Sequence, residues 1–281
     1  MIYISTGLMK DLSIEQTINH LSENGIKNIE LSGGHHDPNI FEKLKSFKPE
    51  VNFMLHNYFP PPKIPFTLNL ATLDEQIYKV CKNHIMNTIR MSSKLDIPYY
   101  SFHAGFLIDP DPKELGKKIS HQKINDEKIA TDKFLERLNL LAIEARKEGV
   151  KLLVENNVIN KQNFETFKTN PLMMTSIEQT ESLIKNFPSD VNILLDLAHL
   201  KVSAKTLNFS PSEFLEKLDY KIKAYHISDN GGEFDTNDLV TTESWFWKYI
   251  KKDKDYFTFE VKTSEISKIN QQIRILEEFI N

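Results

Sequence analysis

The chain has 281 residues, 40% of them hydrophobic and 26% charged, with 9 Gly and 12 Pro, a composition that excludes a disordered or collagen-like polymer. Lysine and arginine number 35 against 39 aspartate and glutamate, and a net charge of −4 supplies no global attraction for nucleic acid. Cys81 is the only cysteine, which rules out an intrachain disulfide and a cysteine-based zinc cluster.

In chain order, the first apolar run is 2–6. It precedes a helical segment at 13–24, where Ser13 and Gln16 make a capping-box pattern and Gly25 supplies the stop. Runs at 27–31 and 51–56 follow, then a long stretch at 73–95 with apolar residues at three- and four-residue spacing. The run at 98–103 leads to a helix at 126–148, ending at Gly149. Runs at 150–155, 191–196, 222–227 and 256–260 complete the set; Trp245 and Trp247 read as opening the helix after the seventh, and 264–280 closes the chain. The runs are short and rich in Ile, Val, Leu, Phe and Tyr, as buried parallel strands are. Eight strands alternating with helices predict an α/β fold, a single (β/α)₈ TIM barrel in one domain over 1–281.

A doubly wound sheet is the alternative, but the first turn, Ser5-Thr6-Gly7-Leu8-Met9-Lys10, carries neither a dinucleotide fingerprint nor a phosphate-binding loop. Three connections, 104–125, 156–175 and 228–241, are longer than the usual few residues. All follow strand C-termini, the face where barrels build their sites, and they are lid candidates. The opening stretch MIYISTGLMKDLSIEQ lacks the pattern of a signal peptide, and no segment reaches the about 18 apolar residues of a membrane span. No membrane association and a cytoplasmic location are the expectations.

The chemistry lies in how the runs end. They finish at His56, His103, Glu155, Asp196 (with His199 three positions later), His226 and Glu260. An ionisable side chain ending a buried strand is costly unless paired or bound to a cation. One such residue is commonly a helix cap; six of eight strands ending this way point to a shared site. In a closed barrel these positions converge on one mouth as a mixed N/O ligand set suited to Zn²⁺, Mn²⁺, Co²⁺ or Mg²⁺. Glu155, Asp196, His226 and Glu260 would hold one ion, and His56 and His103 a second with Glu155 bridging. Asn156, Asn157, Ser228 and Asp229 are candidates to orient these ligands.

The series ENN, LDLAH, HISD and FEVK at successive strand ends resembles the xylose isomerase-like TIM-barrel superfamily, which holds sugar isomerases and epimerases and the zinc-dependent endonucleases of the endonuclease IV type. The resemblance covers essentially the whole chain. It implies a divalent ion on Glu155, Asp196, His226 and Glu260, with the two glutamates also transferring protons and His199 contacting a sugar. HNYFPPP followed by LNLAT and FHAG resembles the endonuclease branch, which implies a second ion on His56 and His103. That branch's third zinc needs an Asp-x-His pair after the seventh strand, and His226 is the last histidine here.

Two reactions follow. In the first, a metal-dependent isomerase or epimerase acts on a sugar or sugar phosphate through a metal-stabilised enediolate, with Glu155 and Glu260 moving the proton, His199 fixing a substrate oxygen and Lys262 neutralising charge. Two carboxylates that ligate a cation are weakened as bases, which counts against this scheme. In the second, two ions activate water against a phosphodiester; the acidic net charge argues against a nucleic-acid substrate. A barrel that binds sugar or metal without turnover is a third reading. The expected partner is a small carbohydrate, the expected oligomer a homodimer.

Overall fold

The eight predicted runs form eight strands in the computed structural model, which describes residues 1–280 apart from 8, 10 and 11. They are β1 (Ile2–Ser5), β2 (Asn28–Leu31), β3 (Asn52–His56), β4 (Tyr99–His103), β5 (Lys151–Glu155), β6 (Asn192–Asp196), β7 (Ile222–Ile227) and β8 (Tyr256–Phe259). Each pairs in parallel with its neighbours and β1 pairs with β8, so the sheet closes in chain order. Leu8 and Lys10 of the first strand-to-helix turn lie outside the described residues, as do Asp11 and Asn281.

Parallel strands need long crossovers, and helices supply them. They are α1 (Ile14–Glu23), α2 (Ile40–Phe47), α3 (Glu75–Lys94), α4 (Glu127–Lys147), α5 (Lys161–Phe167), α6 (Ile177–Ile184), α7 (Leu197–Leu207), α8 (Pro211–Leu218) and α9 (Ile266–Ile280). The capping box of α1 is present in both directions, Gln16 N–H donating to Ser13 Oγ at 3.2 Å and Ser13 N–H to Gln16 Oε1 at 2.9 Å. Together they satisfy two of the donors that a helix start leaves open. Gly25, with φ +84°, turns the chain out of the helix in a conformation that side chains disfavour. Among the described residues no helix is long and apolar enough to cross a membrane.

The stretch after β7 departs from the expectation. No helix forms there among the described residues; 241–250 is a series of turns. Phe246 and Trp247 are buried and the Trp247 indole N–H donates to the Thr241 carbonyl at 2.6 Å, so aromatic packing shapes the segment in place of a helical ladder.

Register decides which strand-end residues become neighbours. His103 lies beside Glu155 across β4–β5, and Asp196 beside His226 across β6–β7. The second pairing depends on a register shift between Ile193 and Leu194. Ile193 faces Ile222, so an unbroken ladder would set Asp196 against Tyr225; the extra residue in β7 brings His226 there instead.

The long loops are packed walls. Phe106, Ile108, Ile119, Ile159, Phe167 and Leu172 form a small separate core beneath the first two, and Phe106 and Leu172 bridge them. The third is closed by reciprocal backbone bonds between Asp229 and Asp238, at 3.0 and 2.8 Å.

Candidate metal centre

Glu155 is the hub of the site. It ends β5 with no solvent exposure and turns its two carboxylate oxygens towards different partners. Oε2 lies 3.3 Å from His56 Nε2 and 3.2 Å from His103 Nδ1. Oε1 lies 3.0 Å from His226 Nδ1, which is also 3.1 Å from Glu260 Oε2 and 3.8 Å from Asp196 Oδ2. Ligand atoms of Glu155, Asp196, His226 and Glu260 all fall within 4.8 Å of one another, as do those of His56, Glu155 and His226, and those of His103, Glu155 and His199. The structure therefore brings together every strand-end residue singled out in the sequence.

These contacts fit a cation better than they fit one another. Glu155 Oε2, Asp196 Oδ2 and His103 Nδ1 are buried with no hydrogen-bond partner, although each sits beside other polar atoms. Buried polar atoms without partners are costly. Lone pairs that converge without bonding are what a ligand set presents, and the mixed imidazole–carboxylate donors suit a first-row divalent ion. Asp196 shows how one side chain serves two ends: Oδ1 caps α7 by accepting from His199 N–H at 2.7 Å, and Oδ2 is left facing the cluster.

The ligands are oriented from behind. Glu30 in β2, fully buried, takes the Nε2 side of His226 at 3.0 Å and accepts from Thr258 Oγ1 at 3.1 Å, which leaves Nδ1 turned to the cluster. Ser101 Oγ holds His56 Nδ1 at 2.9 Å, and Nε2 faces Glu155. The His199 Nδ1–H donates to the Asn156 carbonyl at 2.9 Å, and Nε2 meets Asp235 Oδ2 at 3.2 Å. Asn156 also ties β5 to β6 through both its amide atoms and the Asp196 backbone, at 2.7 and 3.1 Å. The Asn157 amide is used on the carbonyls of Ala104, Gly105 and Met173, and Asp229 pairs with Lys201 at 2.6 Å, so both brace loops.

Electrostatics follow this crowding. Burial disfavours the charged His226 ring, but Glu30 and Glu155 hold its pKa well above the usual imidazole value. His199 is likewise held well above it against burial, by Asp196 and Asp235. Burial raises the Asp196 carboxyl to about 7, and burial lowers His103 to about 4. Glu155 and Glu260 stay below the usual carboxylate range despite burial, through the surrounding histidines. Positive charge is what this pocket of carboxylates selects, supplied by protons on His226 and His199 or by a cation that replaces them.

The cluster floors a cavity of about 380 Å³. His56, His103, His199 and Glu260 line it, whereas Glu155, Asp196 and His226 lie beneath. All three long loops contribute walls, among them Lys117, Asn160, Leu172, Phe234 and Asp235. Gly7 closes against Glu260: a Cβ there would sit 3.1 Å from Glu260 Oε1 and 2.4 Å from Ser32 Oγ. Lys262 is not brought to this group. Its side chain is exposed and does not line the cavity, because β8 ends at Phe259 and strand alternation stops short of it. Two residues here were not singled out in the sequence, Glu30 and Asp235. A carboxylate inside the apolar strand NIEL is a signal that was available for the first; a loop aspartate gives none.

The Xylose isomerase-like TIM barrel family model matches residues 18–279. A probable endonuclease 4 of Sulfurihydrogenibium sp. (strain YO3AOP1) is 24% identical over 179 residues, 61% of this chain and 56% of that protein. The chain thus matches less than two thirds of the length of that curated relative. Among solved structures, a D-tagatose 3-epimerase-like protein superposes with TM-score 0.73 at 18% identity, covering 99% of this chain and 96% of its own. The TTHB071 protein from Thermus thermophilus, soaked with ZnCl₂, superposes with TM-score 0.64 at 17% identity, covering 99% and 98%. Closed eight-stranded topology and a family match over nearly the full length agree, and the chain belongs to the xylose isomerase-like TIM-barrel family.

Proposed function

We propose that the protein is a divalent-metal-dependent isomerase or epimerase of a small polyhydroxy carbonyl compound, a ketose by chemical class. The observation that carries this reading is the convergence of Glu155 and Glu260 on His226 Nδ1, at 3.0 and 3.1 Å, at the floor of a cavity of about 380 Å³. A cavity at the low end of the range for small-molecule sites suits a sugar and leaves no groove for a duplex. Similarity to a D-tagatose 3-epimerase-like protein supports the fold on which such a reaction can run.

Glu155, Asp196, His226 and Glu260 are the residues that would hold one ion, and His56, His103 and the other Glu155 oxygen a second. The ion supplies Lewis acidity, polarising a carbonyl so that the neighbouring C–H becomes acidic. Glu260, which lines the cavity, is the group placed to take that proton, and Glu155 is the second carboxylate able to return it. His199 fixes a substrate oxygen from the cavity wall. Walls from three packed loops limit water around the reacting carbon.

Incubation of the metal-loaded protein with ketoses in D₂O tests this reading. Deuterium should enter at the carbon beside the carbonyl, and Glu260→Gln should slow exchange by about 100- to 10,000-fold. A second reading, hydrolysis of a phosphate ester, is favoured by one observation: His56 and His103 both meet Glu155 Oε2, an arrangement that a single-ion proton transfer does not require. No exchange with any ketose, together with phosphodiester cleavage, would move the assignment there.

A further inference from the structure

The cavity walls say which kind of polyhydroxy compound fits, and this inference rests on the proposed carbohydrate site. Asp235, in the loop after β7, lines the cavity and has one oxygen, Oδ2, against His199 Nε2. Its other oxygen, Oδ1, is buried and has no partner. Asn57, immediately after β3, lines the same cavity. Its backbone is fixed on several sides: N–H donates to the Ser101 carbonyl at 2.7 Å, and its carbonyl accepts from Tyr100 at 2.8 Å. His84 Nε2 adds a contact to the same carbonyl at 3.1 Å. The residue sits in the left-handed region at φ +49°, and its side-chain Oδ1 is buried without a partner. With β3 and β7 on opposite sides of an eight-stranded ring, these two groups face the cavity from opposite flanks.

Unpartnered oxygen acceptors call for donors. A hydroxyl group is a donor; a phosphate ester at neutral pH carries only acceptors and a negative charge, which Asp235 repels. Among the described lining residues, Lys117 is the sole lysine or arginine, and its side chain is exposed. One exposed ammonium is far from the bidentate or multiple donors that phosphate sites use.

We infer that Asp235, with Asn57 opposite, reads hydroxyl hydrogens of the substrate, and that the site takes an unphosphorylated sugar in preference to its phosphate ester. The test measures binding, so that it is independent of turnover. Zinc- or manganese-loaded protein is titrated by calorimetry with each D-ketohexose and with its 6-phosphate ester, using wild type, Asp235→Asn and Asn57→Ala, with bound metal counted in each preparation. At least one free ketose should bind the wild type about 10-fold or more tightly than its ester, and Asp235→Asn should weaken the free sugar by about 10- to 100-fold while narrowing that preference. Asn57→Ala should weaken it less, because a neutral amide is lost. Equal or tighter binding of the ester, binding of no free ketose, or an unchanged preference in Asp235→Asn overturns the inference. Loss of a stoichiometric ion from Asp235→Asn also overturns it, since Asp235 would then be a metal ligand. Absence of deuterium exchange with the binding preference intact would refute the proposed reaction and leave this inference standing.

Discussion

Replacing Glu30 with glutamine separates an orienting role from a packing role. The wild-type carboxylate lies 3.0 Å from His226 Nε2 through one oxygen and 3.1 Å through the other, and accepts from Thr258 at 3.1 Å, all without solvent exposure. Glutamine keeps the volume but offers one acceptor and one donor. If its NH₂ meets Nε2, the His226 proton must move to Nδ1, the atom that faces Glu155, Asp196 and Glu260. If its oxygen meets Nε2, the NH₂ is buried against Thr258, whose hydroxyl must rotate to accept. Loss of such a supporting partner weakens metal affinity by about 10- to 100-fold, equivalent to about 1.4–2.7 kcal/mol. Competition with a fluorescent chelator reads this directly, and far-UV circular dichroism checks that the barrel is intact. Unchanged affinity in a folded Glu30→Gln protein would refute the claim that Glu30 sets the His226 tautomer.

Other perturbations probe the remaining contacts. Gly7→Ala places a methyl group 3.1 Å from Glu260 Oε1; the fold should survive while turnover drops by up to about 100-fold, read by deuterium exchange. Arg137, nearly buried in α4, donates to the carbonyls of Leu70 and Thr72 at 2.9 and 2.6 Å and lies 3.8 Å over the Tyr78 ring. Arg137→Met should cost about 2–4 kcal/mol in denaturant unfolding, because it strands buried acceptors. The pH dependence of chelator-treated protein should be unusual. His226, His199 and Asp196 all have raised folded pKa values, so their contribution is complete below the unfolded values and is lost as pH rises through the folded ones. Thermal melts should therefore fall between about pH 6 and 8, and saturating Zn²⁺ should remove most of that slope.

Much of the barrel was legible because its signals are local. Alternating apolar runs and helices, the Ser13–Gln16 box and the glycine stops act over a few residues, and strand C-termini were placed within one residue. The cluster was legible for a related reason: a charged residue ending a buried strand is costly alone, so several of them imply a shared partner. What was not legible depends on distant geometry. The register shift at Ile193/Leu194 decides that His226 and not Tyr225 joins Asp196, and nothing in either strand alone announces it. Glu30 was overlooked because its run ends on Leu31, although an inward carboxylate in NIEL needed a partner. Lys262 was expected at the mouth by extending strand alternation past the point where β8 ends. The Trp245–Trp247 segment has helical spacing, yet packing of its aromatics prevails over a helical ladder.

A Glu155 carboxylate that bridges two cations, one on each oxygen, is the feature on which the proposed chemistry depends. Anomalous diffraction from crystals of protein purified without chelators and loaded with Zn²⁺ or Mn²⁺ tests it most directly. Two peaks should flank Glu155, one among Asp196, His226 and Glu260 and the other between His56 and His103. Full occupancy of neither position, or ions bound only elsewhere on the molecule, would contradict it.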